Sequence, residues 1–236
     1  MDVWRLVSAV LVVGCGRSDA LQYDWDDRRV LCSMSIDDRT GASWERIEEQ
    51  LALARDHGSV AVVHAHVPGE TISLEQIDRV LERARREAIE TVTFAELSPA
   101  GPPRAGLALC FDDHSIGAWY RIRHRLAAHG ARVTFFVTRY HERTDEERAQ
   151  LAELAAAGHD IESHSVSHLE PIPYAAEHGV AGYVADEVLP SIQVLRDAGY
   201  PVTSFAFPYG SSTRDLEAAV LEHVDLVRVG AGSCPW

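Results

Sequence analysis

Short apolar runs recur along this chain, separated by amphipathic stretches that open on capping residues and close on glycine. That alternation limits the fold more than any other feature. Residues 30–36, 60–64, 91–94, 107–111, 133–137, a short run reaching Ile161, 205–207 and 226–229 read as strands. Helices are expected over 44–57, closed by Gly58, and from the capping box Ser73-Leu74-Glu75-Gln76 to about Arg86. Further helices are expected over 119–129, from a second capping box at Thr144 to Gly158, in a long stretch bent at Pro190 and ending near Gly199, and over 214–223. Repeated β-α-β units need a parallel sheet with strands buried on both faces. About eight strands with short connections predict an α/β fold: a (β/α) barrel of seven to eight parallel strands in one domain of the 236-residue chain.

In such a barrel, chemistry gathers at the C-terminal ends of the strands, and the polar residues here fall there. Asp112 and Asp113 end the run 107–111, where unpaired acids would be costly to bury. His164 and His168 stand four apart after another strand, a spacing that points two imidazoles the same way. His64 and His66 follow a third strand and Pro208-Tyr209-Gly210 a fourth. Two imidazoles and one carboxylate with an open position form the donor set of a catalytic zinc-type site.

The net charge of −14 argues against nucleic acid or an anionic membrane as the main partner, but not against a neutral sugar. Residues 6–14 form an apolar run too short to span a bilayer, and Val12-Val13-Gly14-Cys15 resembles a bacterial lipobox. Residues 1–20 are therefore expected to be a signal peptide and short tether, with Cys15 the lipidated residue of an exported, lipid-anchored envelope protein. Lipid would be its only attachment to a membrane. The other cysteines, Cys32, Cys110 and Cys234, lack CxxC spacing and read as buried thiols or, in an exported protein, a disulfide.

Three strings carry a family resemblance: Phe111-Asp112-Asp113, His164-Ser165-Val166-Ser167-His168 and Phe205-Ala206-Phe207-Pro208-Tyr209-Gly210. They resemble the first three motifs of the polysaccharide deacetylases, carbohydrate esterase family four, and strings at 131–137 and 157–161 are similar too. The family's last motif, a strand ending in His, is resembled by residues 60–64 and the Ala65-His66-Val67-Pro68-Gly69 that follows. The order is thus rotated. Residues 21–97 look like the family's C-terminal part, 98–104 a linker, and 105–236 its N-terminal part, as in a circular permutation. A fragment of a tandem repeat, completed by another chain, is the alternative.

The resemblance implies a metal-dependent hydrolase that removes acetyl groups from an N- or O-acetylated polysaccharide of peptidoglycan, chitin or xylan type, and a monomer is expected. It implies that Asp113, His164 and His168 hold one divalent ion, zinc first, with cobalt or nickel as alternatives. Asp112 would be the general base, and the backbone N–H of Tyr209 an oxyanion donor, with Pro208 and Tyr209 lining the substrate. His64 would be the general acid, supported by Asp37 or Asp38, with neighbouring His66 its competitor. Ala206 stands where many members carry an arginine that orients the base, so another group must hold Asp112. Two other functions remain open: hydrolysis of a small cyclic amide, or a catalytically weakened carbohydrate-binding module.

Overall fold

The computed structural model describes residues 19–97 and 101–234, so the lipidation site expected at Cys15 lies outside the described residues. Seven parallel strands close into a barrel: β2 (Val30–Ser35), β3 (Val60–Ala65), β5 (Gly106–Asp113), β6 (Thr134–Val137), β7 (Asp160–Ser163), β8 (Ser204–Ala206) and β9 (Leu226–Gly230). Each pairs with the next, and β9 returns to β2, where Val30 faces Val227 and Ser33 faces Gly230. Two short strands lie outside the ring: β1 (Gln22–Tyr23), antiparallel to β3, and β4 (Glu90–Thr91), beside the start of β5.

The strand expected over 91–94 gives way after Thr91 to a four-residue helix, α3 (Phe94–Leu97). The Phe94 N–H donates to Thr134 Oγ1 and the Ala95 N–H to Asp160 Oδ2, each at 2.9 Å. Side chains at the starts of β6 and β7 thus take donors that a sheet ladder would otherwise need. Phe94 and Leu97 join Leu31, Val60, Val62, Ala108, Cys110, Phe136, Ala206 and Leu226 in the apolar filling of the barrel. The other strand face packs on the helices: Cys32, Met34, Ala61, Val63, Leu107, Leu109 and Phe111 belong to the larger outer core. Strand side chains alternate between faces, so position parity decides which face a residue serves.

Around the ring run α1 (Trp44–His57), α2 (Leu74–Arg86), α4 (Ile116–Arg121), α5 (Arg123–Ala128), α6 (Asp145–Ala156), α7 (Pro171–Tyr183), α8 (Leu189–Asp197) and α9 (Arg214–Val220). The helix expected over 119–129 starts earlier, at Ile116, and is divided at Ile122. The long helix is interrupted twice, once near the expected Pro190 and once earlier. Gly179 leaves helical geometry at φ 77°, and a π-turn over Val184–Val188 precedes Pro190, which sits in the first turn of α8. Proline has no N–H to donate, and the wider turn before it absorbs the interruption. Cys32 and Cys234 form a disulfide with Cα atoms 5.8 Å apart, while Cys110 is a free, buried thiol. Among the described residues no helix is long and apolar enough to cross a membrane.

Candidate active site

The top of the barrel interior is polar because parity turns a set of hydrophilic residues inward there. Residues 60 and 62 of β3 and 108 and 110 of β5 fill the apolar interior, so His64 and Asp112 continue those inward rows at the C-terminal ends. Ser33 of β2 and Arg228 of β9 do the same, two positions beyond Leu31 and Leu226. Arg228 is 1% exposed and Asp112 3%. Arg228 Nη2 donates to Asp112 Oδ2 at 2.6 Å and Nη1 to Ser33 Oγ at 3.1 Å. Burial pushes the Asp112 carboxyl upward in pKa, but its cationic neighbours, the Arg228 guanidinium first, outweigh it and leave the group below its ordinary value. Its second oxygen, Oδ1, is buried with no hydrogen-bond partner among the described residues.

Asp113, the last residue of β5, should point outward by parity, but a φ of 87° redirects it. Such a conformation is strained for a residue with a Cβ. It brings Asp113 Oδ1 within 3.1 Å of His168 Nε2 and 3.6 Å of His164 Nε2. The ligand atoms of the three residues all lie within 4.8 Å of one another. His164 Nδ1–H donates to the Ala206 carbonyl at 2.7 Å, which turns Nε2 toward the shared point as a lone-pair donor. Ser165 and His168 are also left-handed, at φ 68° and 60°. The loop that carries them is clamped by the π-turn: Glu187 accepts from Val166 N through its carbonyl at 3.0 Å and from Ser167 N through Oε2 at 2.9 Å. Burial works against Asp113 ionisation, but the His164 and His168 rings beside it hold its carboxyl well below the usual range. The donor set, its convergence and the oriented imidazole fit a divalent cation.

A second trio, His64, His66 and Asp112, also falls within 4.8 Å. It suits a cation poorly, since Arg228 already occupies Asp112 and Asp37 occupies His66. Asp37 Oδ2 lies 2.5 Å from His66 Nδ1, and Asp37 Oδ1 accepts from Thr71 Oγ1 at 2.7 Å and from His66 N at 3.2 Å. The turn that presents Asp37 needs Gly41, whose Cβ would fall 2.4 Å from the Asp37 carbonyl oxygen. The fully buried Trp119 fixes the other partner, donating from Nε1 to the His66 carbonyl at 3.0 Å. Burial lowers the His66 pKa, but the Asp37 bond and the charges of Asp112, Asp37 and Asp113 raise it to about 9. His64 differs: burial and the neighbouring Arg228 charge push it down to about 3, and its Nδ1 lies 2.9 Å from Ser33 Oγ.

The two supports proposed for His64 are therefore corrected. Asp37 faces His66, and Asp38 accepts from the Ser73 backbone N–H at 2.8 Å beside the N-terminus of α2. Tyr209 stands on the β8 turn at φ 59°, 67% exposed, with its ring 4.7 Å from that of His168, above the buried Pro208. The turn lies against β9 at Gly210, where a Cβ would come within 2.6 Å of Gly230 N. All seven expected catalytic, ligand and substrate residues (His64, Asp112, Asp113, His164, His168, Pro208 and Tyr209) stand at the strand ends of one barrel mouth. Sequence reasoning missed Arg228, which it read as one more strand residue. Its signal was an arginine at an inward position of an apolar strand.

The polysaccharide deacetylase family model matches residues 100–225, more than half the chain. A search of curated proteins finds no match. Among solved structures, BC0361, a polysaccharide deacetylase from Bacillus cereus, is similar at 16% identity and TM-score 0.56, over 72% of this chain and 57% of that one. The chain thus spans little more than half of that protein's length. The BpsB deacetylase domain from Bordetella bronchiseptica is 19% identical with TM-score 0.52, over 88% of this chain and 87% of that one. IcaB from Ammonifex degensii is 18% identical with TM-score 0.53, covering 72% and 83%. At these identities the structures speak to the fold, and the barrel is common to them. With Asp112, Asp113, His164, His168 and Tyr209 all inside the matched segment, the chain belongs to the polysaccharide deacetylase family.

Proposed function

We propose that this protein is a metal-dependent hydrolase that removes acetyl groups from an N- or O-acetylated polysaccharide. One observation carries the reading: a carboxylate held by arginine, a cation-ready trio and a carboxylate-supported histidine share one barrel mouth. Asp113, His164 and His168 would hold the divalent ion, zinc being the first candidate and cobalt or nickel the others. When bound, the ion supplies Lewis-acid polarisation of the acetyl carbonyl and acidifies water. Asp112 takes a proton from the attacking water at Oδ1, the oxygen that Arg228 leaves free. The Tyr209 backbone N–H donates to the developing oxyanion. His66 protonates the departing nitrogen or oxygen as its bond to the acyl carbon breaks, with Nδ1–H held by Asp37. Acetate and a free amine or hydroxyl result.

The acid is assigned to His66 in place of the expected His64, because a histidine with a pKa near 3 is uncharged at neutral pH and holds no imidazolium proton to give. The rotated domain order is part of the same reading. Supporting it, β3, which carries both histidines, pairs directly with β5 in the ring. Likewise, the 88% overlap with BpsB must extend into the residues before 100. The Cys32–Cys234 disulfide supports an exported, oxidising location, with Cys15 as the proposed anchor. Acetate release from a panel of acetylated peptidoglycan, chitin and xylan, with and without metal, tests the proposal. No release from any of them by a metal-loaded protein would end it.

A further inference from the structure

The base-orienting arginine absent at position 206 has a candidate replacement one strand away. Strands β8 and β9 pair so that Ala206 and Arg228 are direct cross-strand partners, and both side chains belong to the barrel interior. The methyl group of Ala206 leaves the space beside it to a long side chain from β9. We propose that Arg228 is the residue that positions the general base, supplied from β9 instead of β8. The inference rests on Asp112 being that base.

The geometry is that of a dedicated support. Among the described residues, Arg228 Nη2 makes the one hydrogen bond to the Asp112 side chain, at 2.6 Å on Oδ2. Nη1 is tied down at 3.1 Å by Ser33 Oγ, itself fully buried and in contact with Val229 O at 3.2 Å and His64 Nδ1 at 2.9 Å. The guanidinium carbon lies 5.3 Å from the ring centre of Phe136, the residue paired with Asp112 between β5 and β6. Ser33, Phe136 and Asp112 together fix the guanidinium, and the bond to Oδ2 fixes the carboxylate plane. Oδ1 is then left as the only oxygen free to accept a proton. Ala206 has a second task that an arginine there could also have kept, since only its backbone carbonyl holds His164. Arg228 lies three residues past the family match, and the family pattern at 206 gives no hint of it.

The test compares Arg228→Lys, Arg228→Met and the transplant Ala206→Arg/Arg228→Ala, each checked for one bound metal per chain and for a cooperative melt. Arg228→Met should lower kcat about 100-fold or more, with KM within about threefold, since the substrate itself is not touched. Arg228→Lys keeps the charge and should retain at least about ten times more kcat than Arg228→Met. The transplant returns the guanidinium from the neighbouring strand and should exceed Arg228→Met by a similar factor. Equal kcat in the Lys and Met variants, both folded and metal-loaded, would overturn the proposal, as would wild-type kcat in Arg228→Met. A buried acid without its cation can unfold the protein; if Met does not fold, kcat of the Lys variant at about a hundredth of wild type or lower overturns it, and retention above a tenth supports it. Asp112→Asn separates the two readings. Wild-type kcat there removes the base itself, whereas a collapse of kcat there with no effect at Arg228 removes only the positioning role.

Discussion

Replacing Asp37 by Asn should move the alkaline limb of the activity profile and leave the acid limb in place. His66 is raised from an ordinary 6.5 to about 9 by a bond to Asp37 and by the charges of Asp112, Asp37 and Asp113, against the lowering effect of burial. Without the Asp37 charge and bond, burial pulls the imidazole back toward its ordinary value, opposed by the charges of Asp112 and Asp113. At pH 8.5 a group with a pKa of about 9 is roughly three-quarters protonated, and one at about 6.5 roughly 1%. A general acid works only when protonated, so kcat/KM at pH 8.5 should fall, by up to about 75-fold for full reversion, while changing little near pH 6. The same link has a stability sign. A raised histidine pKa stabilises the fold fully below about 6.5, and that contribution is lost as pH rises through about 9. A shift of that size corresponds to about 3 kcal/mol, and the 33% exposure of the His66 side chain reduces it to about 1–2 kcal/mol. The melting-temperature gap between wild type and Asp37→Asn should therefore be widest near pH 6 and narrow above pH 9. Rate profiles and an NMR titration of the His66 ring read both effects. An alkaline limb that stays near 9 in Asp37→Asn would refute the coupling.

Other consequences are measured separately. His168→Ala should abolish stoichiometric metal binding, read by elemental analysis, and lower acetate release by at least about 1,000-fold, with the barrel intact by circular dichroism. Gly210→Ala places a Cβ 2.6 Å from Gly230 N at φ 61°, so the Tyr209 turn must shift; kcat should fall at least about tenfold with metal content unchanged. Reducing Cys32–Cys234, which closes a span of 202 residues, should lower stability by about 2–5 kcal/mol in denaturant titration and expose two further thiols to a thiol reagent.

The barrel could be read from the strands because parallel strands buried on both faces write themselves as apolar runs, and the strand-end acids and histidines broke those runs. The run 91–94 failed on the same logic. It is apolar because it plugs the bottom of the barrel, and its donors are taken by Thr134 and Asp160, which no local pattern announces. Pro190 announces the π-turn before it, which presents Glu187 to the metal-loop backbone, whereas the earlier break at Gly179 has no such signal. Within the site, individual residues were legible and their partners were not. Asp37 and Asp38 are adjacent in sequence, and only the Gly41 turn decides that one meets His66 and the other the start of α2. Arg228 escaped because its partner lies 116 residues away and meets it only through closure of the ring.

The central claim joins a histidine from the front of the chain to an acyl group held by residues from the rear. Leaving-group dependence tests it most directly. Wild type and His66→Ala should be compared on an acetylated sugar, whose departing nitrogen or oxygen needs a proton, and on 4-nitrophenyl acetate, whose phenolate leaves without one. The account predicts a loss of about 100- to 10,000-fold on the sugar and less than about tenfold on the aryl ester, with His64→Ala showing no such difference between the substrates. Equal losses on both substrates, or the large difference appearing in His64→Ala instead, would contradict it.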